Sequence, residues 1–338
     1  MLSTRKNEPI RAWESGDSVS GFAYLAKKER RQDRNGNDYL DLELADATGA
    51  INGKAWSDSQ AMGRDFEVGD FVAFKGQVSS YNNRLQLSVK DCRQVTEEDK
   101  ARGLDVAKLI PSAAEDIGVL WERLTGLLEA GLERPEARRL ATETLAAYGE
   151  ALKEHPAAKG YHHAYRGGLL EHVVSMAQVA NLLCDHYREL DRDQLLLGAL
   201  FHDLGKLLEL EPMPSKEYTE EGRLVGHVVI GYQMLRQRCA AIPDFPLELQ
   251  RRLEHLVLSH QGSKEFGSPV EPATAEALAL NYIDDLDAKL SMLRRAREEG
   301  LEGRQWVDAL RRFVFLDALE ERLEEQPPPG PEQAQLEL

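Results

Sequence analysis

Between residues 17 and 95 apolar and polar positions alternate in short runs, the period-two pattern of half-buried strands. Val19 to Ala26, Tyr39 to Ala45, Ala50 to Trp56, Phe71 to Val78 and Arg84 to Val89 give five predicted strands. Asn35-Gly36-Asn37 and Asp46-Ala47-Thr48-Gly49 separate them with residues that tolerate positive φ, and Val68-Gly69-Asp70 leads into the fourth. Five strands at this spacing predict a small all-β barrel of the OB-fold type. After Thr96 the pattern changes. Thr96 to Lys108 is polar and charged and reads as a linker. Ser112, with Glu115 three residues later, predicts a helix start. Helical periodicity follows over Ile117 to Gly131, Pro135 to Lys153, Leu169 to Tyr187 and Val228 to Arg238, with further helices ending near Gly262 and covering Leu278 to Lys289. Leu195 to Leu208 is apolar on every side and predicts a buried helix. The expected architecture is multidomain: an all-β barrel over 1–95, a linker and helical connector over 96–155, an all-α bundle over 156–319, and a disordered acidic, proline-rich tail over 320–338.

Composition fits this picture, with 42% hydrophobic and 30% charged residues in 338. No apolar run approaches membrane-spanning length and Met1 to Trp13 lacks a signal-peptide core, so a cytoplasmic protein with no membrane partner is expected. Cys92, Cys184 and Cys239 form no CxxC and are expected to be reduced. The net charge of −16 argues against coating nucleic acid by bulk electrostatics. Residues 1–95, however, carry 14 basic and 14 acidic side chains, so the acidic excess lies wholly in the later part. The barrel is therefore the place for a nucleic-acid surface. It interleaves aromatics, among them Tyr24 and Trp56, with the cations Lys27, Lys28, Arg30, Arg31 and Arg34, the combination that stacks on bases and follows phosphates. The alternatives are that the aromatics are barrel core and that the cationic cluster, expected at a strand end and hairpin, is a solvated turn.

The apolar run Leu195 to Leu208 contains His202, Asp203 and Lys206. Burying polar groups is costly unless they are paired, and a bound cation or a local hydrogen bond would each serve. Other ligand-type residues recur beside apolar runs: His172 near the start of a helix, His227 after Gly226, His260 at a helix end, and Asp284 within an apolar helix. Together they occupy five helical segments. Mixed imidazole and carboxylate donors suit Mn²⁺, Fe²⁺, Co²⁺ or Zn²⁺, and the absence of cysteine ligands disfavours a structural zinc site.

The order His172, His202-Asp203, His227, His260, Asp284 resembles the HD-domain superfamily of metal-dependent phosphohydrolases. The segments His162 to His172, Phe201 to Lys206, Tyr218 to His227 and Asp284 to Lys289 are similar, more closely, to the YhaM family of 3′→5′ exoribonucleases, in which an OB-fold is joined to an HD domain. The resemblance implies phosphodiester hydrolysis of single-stranded RNA or DNA with release of nucleoside monophosphates, by water activated on one or two divalent ions, Mn²⁺ first among them. It implies metal ligation by His172, His202, Asp203, His227, His260 and Asp284. Asp203 would bridge two ions, and Asp287 would support the ligands. Lys206 would reach a phosphate or else extend to solvent; Arg166, His162 and His163 would contact phosphate or protonate the leaving group, or else form a tight structural loop. Gln261 stands where the family commonly has a second consecutive histidine, which leaves one ion or two open. Two other readings remain at this level: a phosphohydrolase of free nucleotides or cyclic dinucleotides, and an inactive nucleic-acid-binding module. The connector helices show no identifiable chemistry and are expected to pack against the domain that follows or to mediate self-association.

Overall fold

The computed structural model describes residues 4–81, 84–159, 164–215, 217–298, 302–307 and 310–316, with the side chains of 295 and 298 excepted. His162, His163 and the tail 320–338 lie outside the described residues.

The N-terminal strands are β1 (Thr4–Lys6), β2 (Ser18–Gln32), β3 (Asp38–Asp46), β4 (Gly49–Ala55), β5 (Phe71–Tyr81) and β6 (Arg84–Gln94). They run in the order β1-β2-β3-β4-β6-β5, and β5 pairs again with β2 to close the barrel. Only β1 with β2 and β4 with β6 are parallel. This is the OB-fold expected from the alternation, built from all five predicted strands. Leu25, Leu42, Leu44, Leu87 and Val72 fill its interior, and Trp13, in a segment that gave no strand signal, is buried against Phe74.

One boundary differs in a way that matters for function. Alternation of apolar residues stops at Ala26, yet β2 continues to Gln32, still paired residue by residue with β3. Beyond Ala26 side chains on both faces meet solvent, so hydrophobic periodicity carries no signal while the backbone ladder persists. Lys27, Lys28, Arg30 and Arg31 are therefore strand residues, and only Arg34 lies in the turn.

The linker is also more ordered than its polarity implied. Thr96 and Asp99 form a reciprocal cap for α1 (Glu97–Ala101), and Arg93 grips both Asp99 oxygens at 2.7 and 2.9 Å. A turn over Val106–Leu109 then packs against β2 and β3. The predicted cap at Ser112 is not used. Asp116 caps α2 (Ile117–Gly131) by accepting from the Gly118 and Val119 N–H groups, because Ser112 is drawn aside into a bridge with Arg166.

The helices that follow are α3 (Pro135–Glu154), α4 (Gly168–His186), α5 (Arg192–Phe201), α6 (Lys206–Glu209), α7 (Glu220–Val225), α8 (His227–Ala241), α9 (Leu247–Ser259) and α10 (Ala275–Glu298). A hairpin of β7 (Gly303–Val307) and β8 (Arg312–Leu316) comes last. One continuous apolar core runs from Leu120 to Ile283, so α2 and α3 share the core of the later helices. The barrel core is separate.

The apolar run Leu195 to Leu208 is buried as expected but is not one helix. It breaks at His202–Gly205, between α5 and α6. Here Gly205 lies against the start of α8, where an added Cβ would overlap the His227 carbonyl and crowd the Gly231 amide at 2.6 Å. Gly226, at φ 79° and ψ 149°, adopts a backbone conformation that a side chain disfavours and so delivers His227 as the first residue of α8. Gly205→Ala should cost about 1–3 kcal/mol through this overpacking, read as a lowered midpoint in chemical denaturation, whereas Gly126→Ala, with nothing near its Cβ, should not destabilise.

Candidate metal centre

The break at His202–Gly205 turns consecutive side chains toward one point. His202 and Asp203 come from it, His172 from α4, His227 from the N-terminus of α8, His260 from the C-cap of α9 and Asp284 from α10. His172, His202, Asp203 and His260 are at most 2% exposed. Every one of the four imidazoles has its Nδ1 occupied. His202 Nδ1 donates to the Ala199 carbonyl at 3.0 Å, His260 Nδ1 to the Val257 carbonyl at 2.6 Å, His172 Nδ1 to Asp287 Oδ2 at 2.7 Å and His227 Nδ1 to Glu209 Oε1 at 3.0 Å. Carbonyl and carboxylate oxygens only accept, so the proton of each neutral ring sits on Nδ1 and its Nε2 lone pair points inward.

The Nε2 atoms converge on the two carboxylates. Asp203 Oδ2 is 3.4 Å from His202 Nε2 and 3.7 Å from His172 Nε2, while Asp203 Oδ1 is 3.5 Å from His227 Nε2 and 3.7 Å from His260 Nε2. Asp284 Oδ1 is 3.3 Å from His172 Nε2. Two triads result, His172-His202-Asp203 and Asp203-His227-His260, each with its ligand atoms within 4.8 Å of one another, and Asp203 belongs to both. Ligand atoms around an ion bonded at ~2.1 Å lie roughly 3–3.4 Å apart, so only small closure is needed.

Three observations fit a divalent cation. Asp203 Oδ1 and His227 Nε2 are buried with no hydrogen-bond partner among the described residues, a costly state that a cation relieves. The Nε2 atoms of His172 and His202 stand 3.1 Å apart, a contact between lone pairs that needs a proton or a cation between them. The donor set is imidazole and carboxylate alone, as first-row divalent ions prefer.

Electrostatics agree. Burial opposes charge on His172, but Asp284, Asp287 and Asp203 outweigh it and lift its pKa to about 10 in the metal-free protein. Burial, followed by neighbouring His202, pushes His260 down to about 4, so this ring is neutral at physiological pH. Asp203 stays ionised despite complete burial because Lys206, His202 and His227 surround it. Burial raises Asp284 less than His172 and His202 lower it, leaving its pKa at about 2.

The remaining expected residues divide. Lys206 does not extend to solvent: it is buried and its Nζ donates to Asp203 Oδ2 at 2.6 Å, which fixes the rotation of that carboxylate. Asp287 supports His172, as expected, and Ser175 donates to its other oxygen. Gln261 lies beside the ligands, its amide 2.8 Å from His260 Nε2. Arg166 is not in the cluster. Its guanidinium is paired with Glu154 at 2.5 and 2.6 Å, and its backbone holds Pro111 and Ala113, the tight-loop role left open for it. Glu209 escaped the sequence reading. It accepts both the backbone N–H and Nδ1–H of His227 with Oε1, at 2.9 and 3.0 Å, and its only sequence signal was an acid at the polar end of an apolar run.

On the barrel, Tyr24 is buried at 8% exposure against Phe71 and is unavailable for stacking. The cations alternate across β2. Lys27 and Arg31 share the outer face with Glu29 and Asp41, Lys28 turns to the Phe66 carbonyl and Glu67, and Arg30 faces Asp38. Arg34 has no ion pair among the described residues. Trp56 is exposed and stacks at 5.0 Å on Tyr39, with Lys54 over both rings. The barrel also carries a groove of about 1060 Å³ lined by Arg11, Asn52, Tyr81, Arg84 and Gln86, residues that the sequence does not mark as a unit.

Metal binding must displace the His172 proton. Because that pKa is raised to about 10, affinity should climb with pH between about 6 and 9, by about tenfold per unit for one proton, and calorimetry in buffers of different ionisation enthalpy should detect its release. Glu209→Ala frees the His227 ring and should weaken binding at the Asp203-His227-His260 triad about 10–100-fold while sparing the other, measured as ions bound per chain after dialysis.

Sequence comparisons agree with this geometry. A model described as HD domain matches residues 169–289, and one described as OB-fold nucleic acid binding domain matches 25–95. A third, described as a putative helicase, matches 119–191, a stretch without a glycine-rich loop ending in Lys-Ser or Lys-Thr. The chain is 34% identical over 287 residues to the 3'-5' exoribonuclease YhaM of Geobacillus sp. (strain WCH70), covering 85% of this chain and 87% of that one. It is 34% identical over 291 residues to the 3'-5' exoribonuclease YhaM of Bacillus pumilus (strain SAFR-032), covering 86% and 90%. With both modules matched in order and a third of the residues identical across most of each protein, the chain belongs to the YhaM family of 3′→5′ exoribonucleases.

Proposed function

We propose that this protein is a metal-dependent 3′→5′ exoribonuclease that shortens single-stranded RNA and releases nucleoside monophosphates. The observation that carries the reading is the convergence of four imidazole Nε2 atoms and two carboxylates on one buried point, in a chain that also contains an OB-fold barrel. A divalent cation held by these residues, with Mn²⁺ the first to test, supplies Lewis-acid stabilisation of phosphoryl charge and acidifies a coordinated water.

The chain's own residues do the rest. Asp287 and Glu209 hold the rings of His172 and His227 in the tautomer that presents Nε2. Lys206 fixes one Asp203 oxygen so that the other faces His227 and His260. Of the ligands, His227 and Asp284 are the more exposed, at 19% and 18% of their side chains, so a strand end approaches from their side. Gln261 places a neutral amide 2.8 Å from His260 Nε2, and that amide must yield for the ring to hold an ion. Trp56, with Lys54 over its ring, and the groove with Arg11, Tyr81 and Arg84 serve as the grip on the body of the strand, since Trp56 and Tyr81 are open to solvent.

A time course on 5′-labelled single-stranded RNA with Mn²⁺ should give a ladder that shortens from the 3′ end and stops with chelator. Release of no mononucleotides by metal-loaded protein would sink the proposal, and equal digestion of matched DNA would remove the preference for RNA. Trp56→Ala should raise KM for long strands roughly 5–100-fold, the range of one lost base stack, and leave kcat on a dinucleotide nearly unchanged.

A further inference from the structure

The donors of the second triad are not equally open to an ion. Asp203 Oδ1, His227 Nε2 and His260 Nε2 face one another there. The first two are buried without a hydrogen-bond partner among the described residues, so an ion meets no competing protein donor at either. The third is occupied, with Gln261 Nε2 standing 2.8 Å from it. Because His260 Nδ1 gives its proton to the Val257 carbonyl, Nε2 of the neutral ring can only accept. The Gln261 amide therefore donates into the lone pair that would bind a cation. Turned the other way, the amide would set its carbonyl oxygen against that lone pair, so the hydrogen bond also fixes the orientation of the amide.

A long side chain on a loose surface turn would leave such a contact easily, but the backbone that carries Gln261 is pinned. The Gly262 N–H donates to the Ser259 carbonyl at 2.9 Å and the Ser263 N–H to the Gln261 carbonyl at 3.0 Å, which closes the turn that ends α9. From α10, Asn281 Nδ2 donates to the His260 carbonyl at 2.7 Å. The His260 ring is buried and cannot swing from Gln261 without giving up Val257. An ion at this triad thus displaces the amide by rotating the Gln261 side chain alone, and the hydrogen bond that breaks counts against binding. The two triads differ in charge as well. Asp284 adds a second carboxylate beside His172, whereas Asp203-His227-His260 has only the carboxylate that both triads share.

We propose that Gln261 sets the occupancy of the centre: its amide competes with a cation for His260, so that the chain keeps one resident ion and holds a second, at Asp203-His227-His260, loosely enough to exchange. This rests on the reading of the cluster as a metal centre. Gln261 acts in it as a positioning residue, through His260 and not on the reacting atoms.

The test is a titration of Mn²⁺ into the metal-free full chain, with free ion counted by electron paramagnetic resonance and bound ion by elemental analysis. Wild type should take up one ion firmly and a second more weakly. Gln261→Met removes the amide and keeps the length of the side chain, and Gln261→Ala removes the bulk as well; circular dichroism checks that both variants fold. Each should tighten the weaker step about 3–30-fold, the range for one lost hydrogen bond at a buried acceptor, and leave the stronger step unchanged. Two wild-type steps of equal affinity overturn the proposal, as do variants that bind like wild type. Variants that weaken the second ion overturn it too, and make Gln261 a ligand through its carbonyl oxygen instead of a competitor. Tightening by Gln261→Ala alone overturns it in favour of obstruction by bulk. Wild type that takes up no ion at all sinks the metal-centre reading and the proposal with it, whereas firm uptake of an ion with no effect of Gln261 removes the proposal and leaves that reading standing.

Discussion

The buried carboxylate of Asp203 is the constraint on which the helical domain turns. At 2% exposure an ionised aspartate is tolerable only with cationic or hydrogen-bonding partners on all sides. The fold supplies one, Lys206 within the same turn, and arrays the Nε2 atoms of His172, His202, His227 and His260 around the carboxylate at 3.4–3.7 Å. Lys206 satisfies one oxygen, and the other is left without a hydrogen bond between His227 and His260. That imbalance is what a bound ion corrects. A centre of this kind therefore stores part of its own folding cost until metal arrives, and metal affinity, protonation of His172 and stability of the domain are linked.

Holding the ligands at the right distance is a backbone problem before it is a side-chain one. The α5–α6 break has to approach the α8 N-terminus more closely than a Cβ allows, and Gly205 meets that requirement. The sparse conformation at Gly226 then starts α8 with His227 facing Asp203. Glu209 ties the two elements together by accepting two hydrogen bonds from His227, and burial of that carboxylate, which favours the neutral acid, is outweighed by His227, which holds it ionised. Asp287 does the same for His172 from α10. Imidazole ligands are thus oriented by carboxylates at the two ends of the centre and by helix carbonyls in its middle.

The barrel illustrates a different limit. Its cationic strand is largely neutralised by neighbouring acids, as when Asp41 faces both Lys27 and Arg31 and Asp38 faces Arg30. A positive sequence cluster is therefore not a positive surface. The open contacts lie instead at Trp56, just past β4, with Lys54 over its ring, and at the groove lined by Arg11, Tyr81 and Arg84, whose members are far apart in the chain.

By itself the sequence determined the barrel strands, the main helices and the candidate ligands that the fold brings together. Each of these rests on local signals: period-two alternation, helical periodicity, and polar groups inside apolar runs that only a partner could make tolerable. It also marked Gln261 as a departure from the family's usual second consecutive histidine. Tertiary structure decided what depends on convergence of distant segments. It showed that Leu195 to Leu208 breaks into two helices, because the reason is the approach of α8 and not a local breaker strong enough to be read. It also separated Lys206, turned inward to Asp203, from Arg166, turned away to Glu154, although both looked alike as phosphate-binding cations. Glu209 became visible as a partner of His227 only when the fold brought the two together. The neutralised face of β2 follows from which neighbours the strand meets, and a one-dimensional pattern does not specify those neighbours.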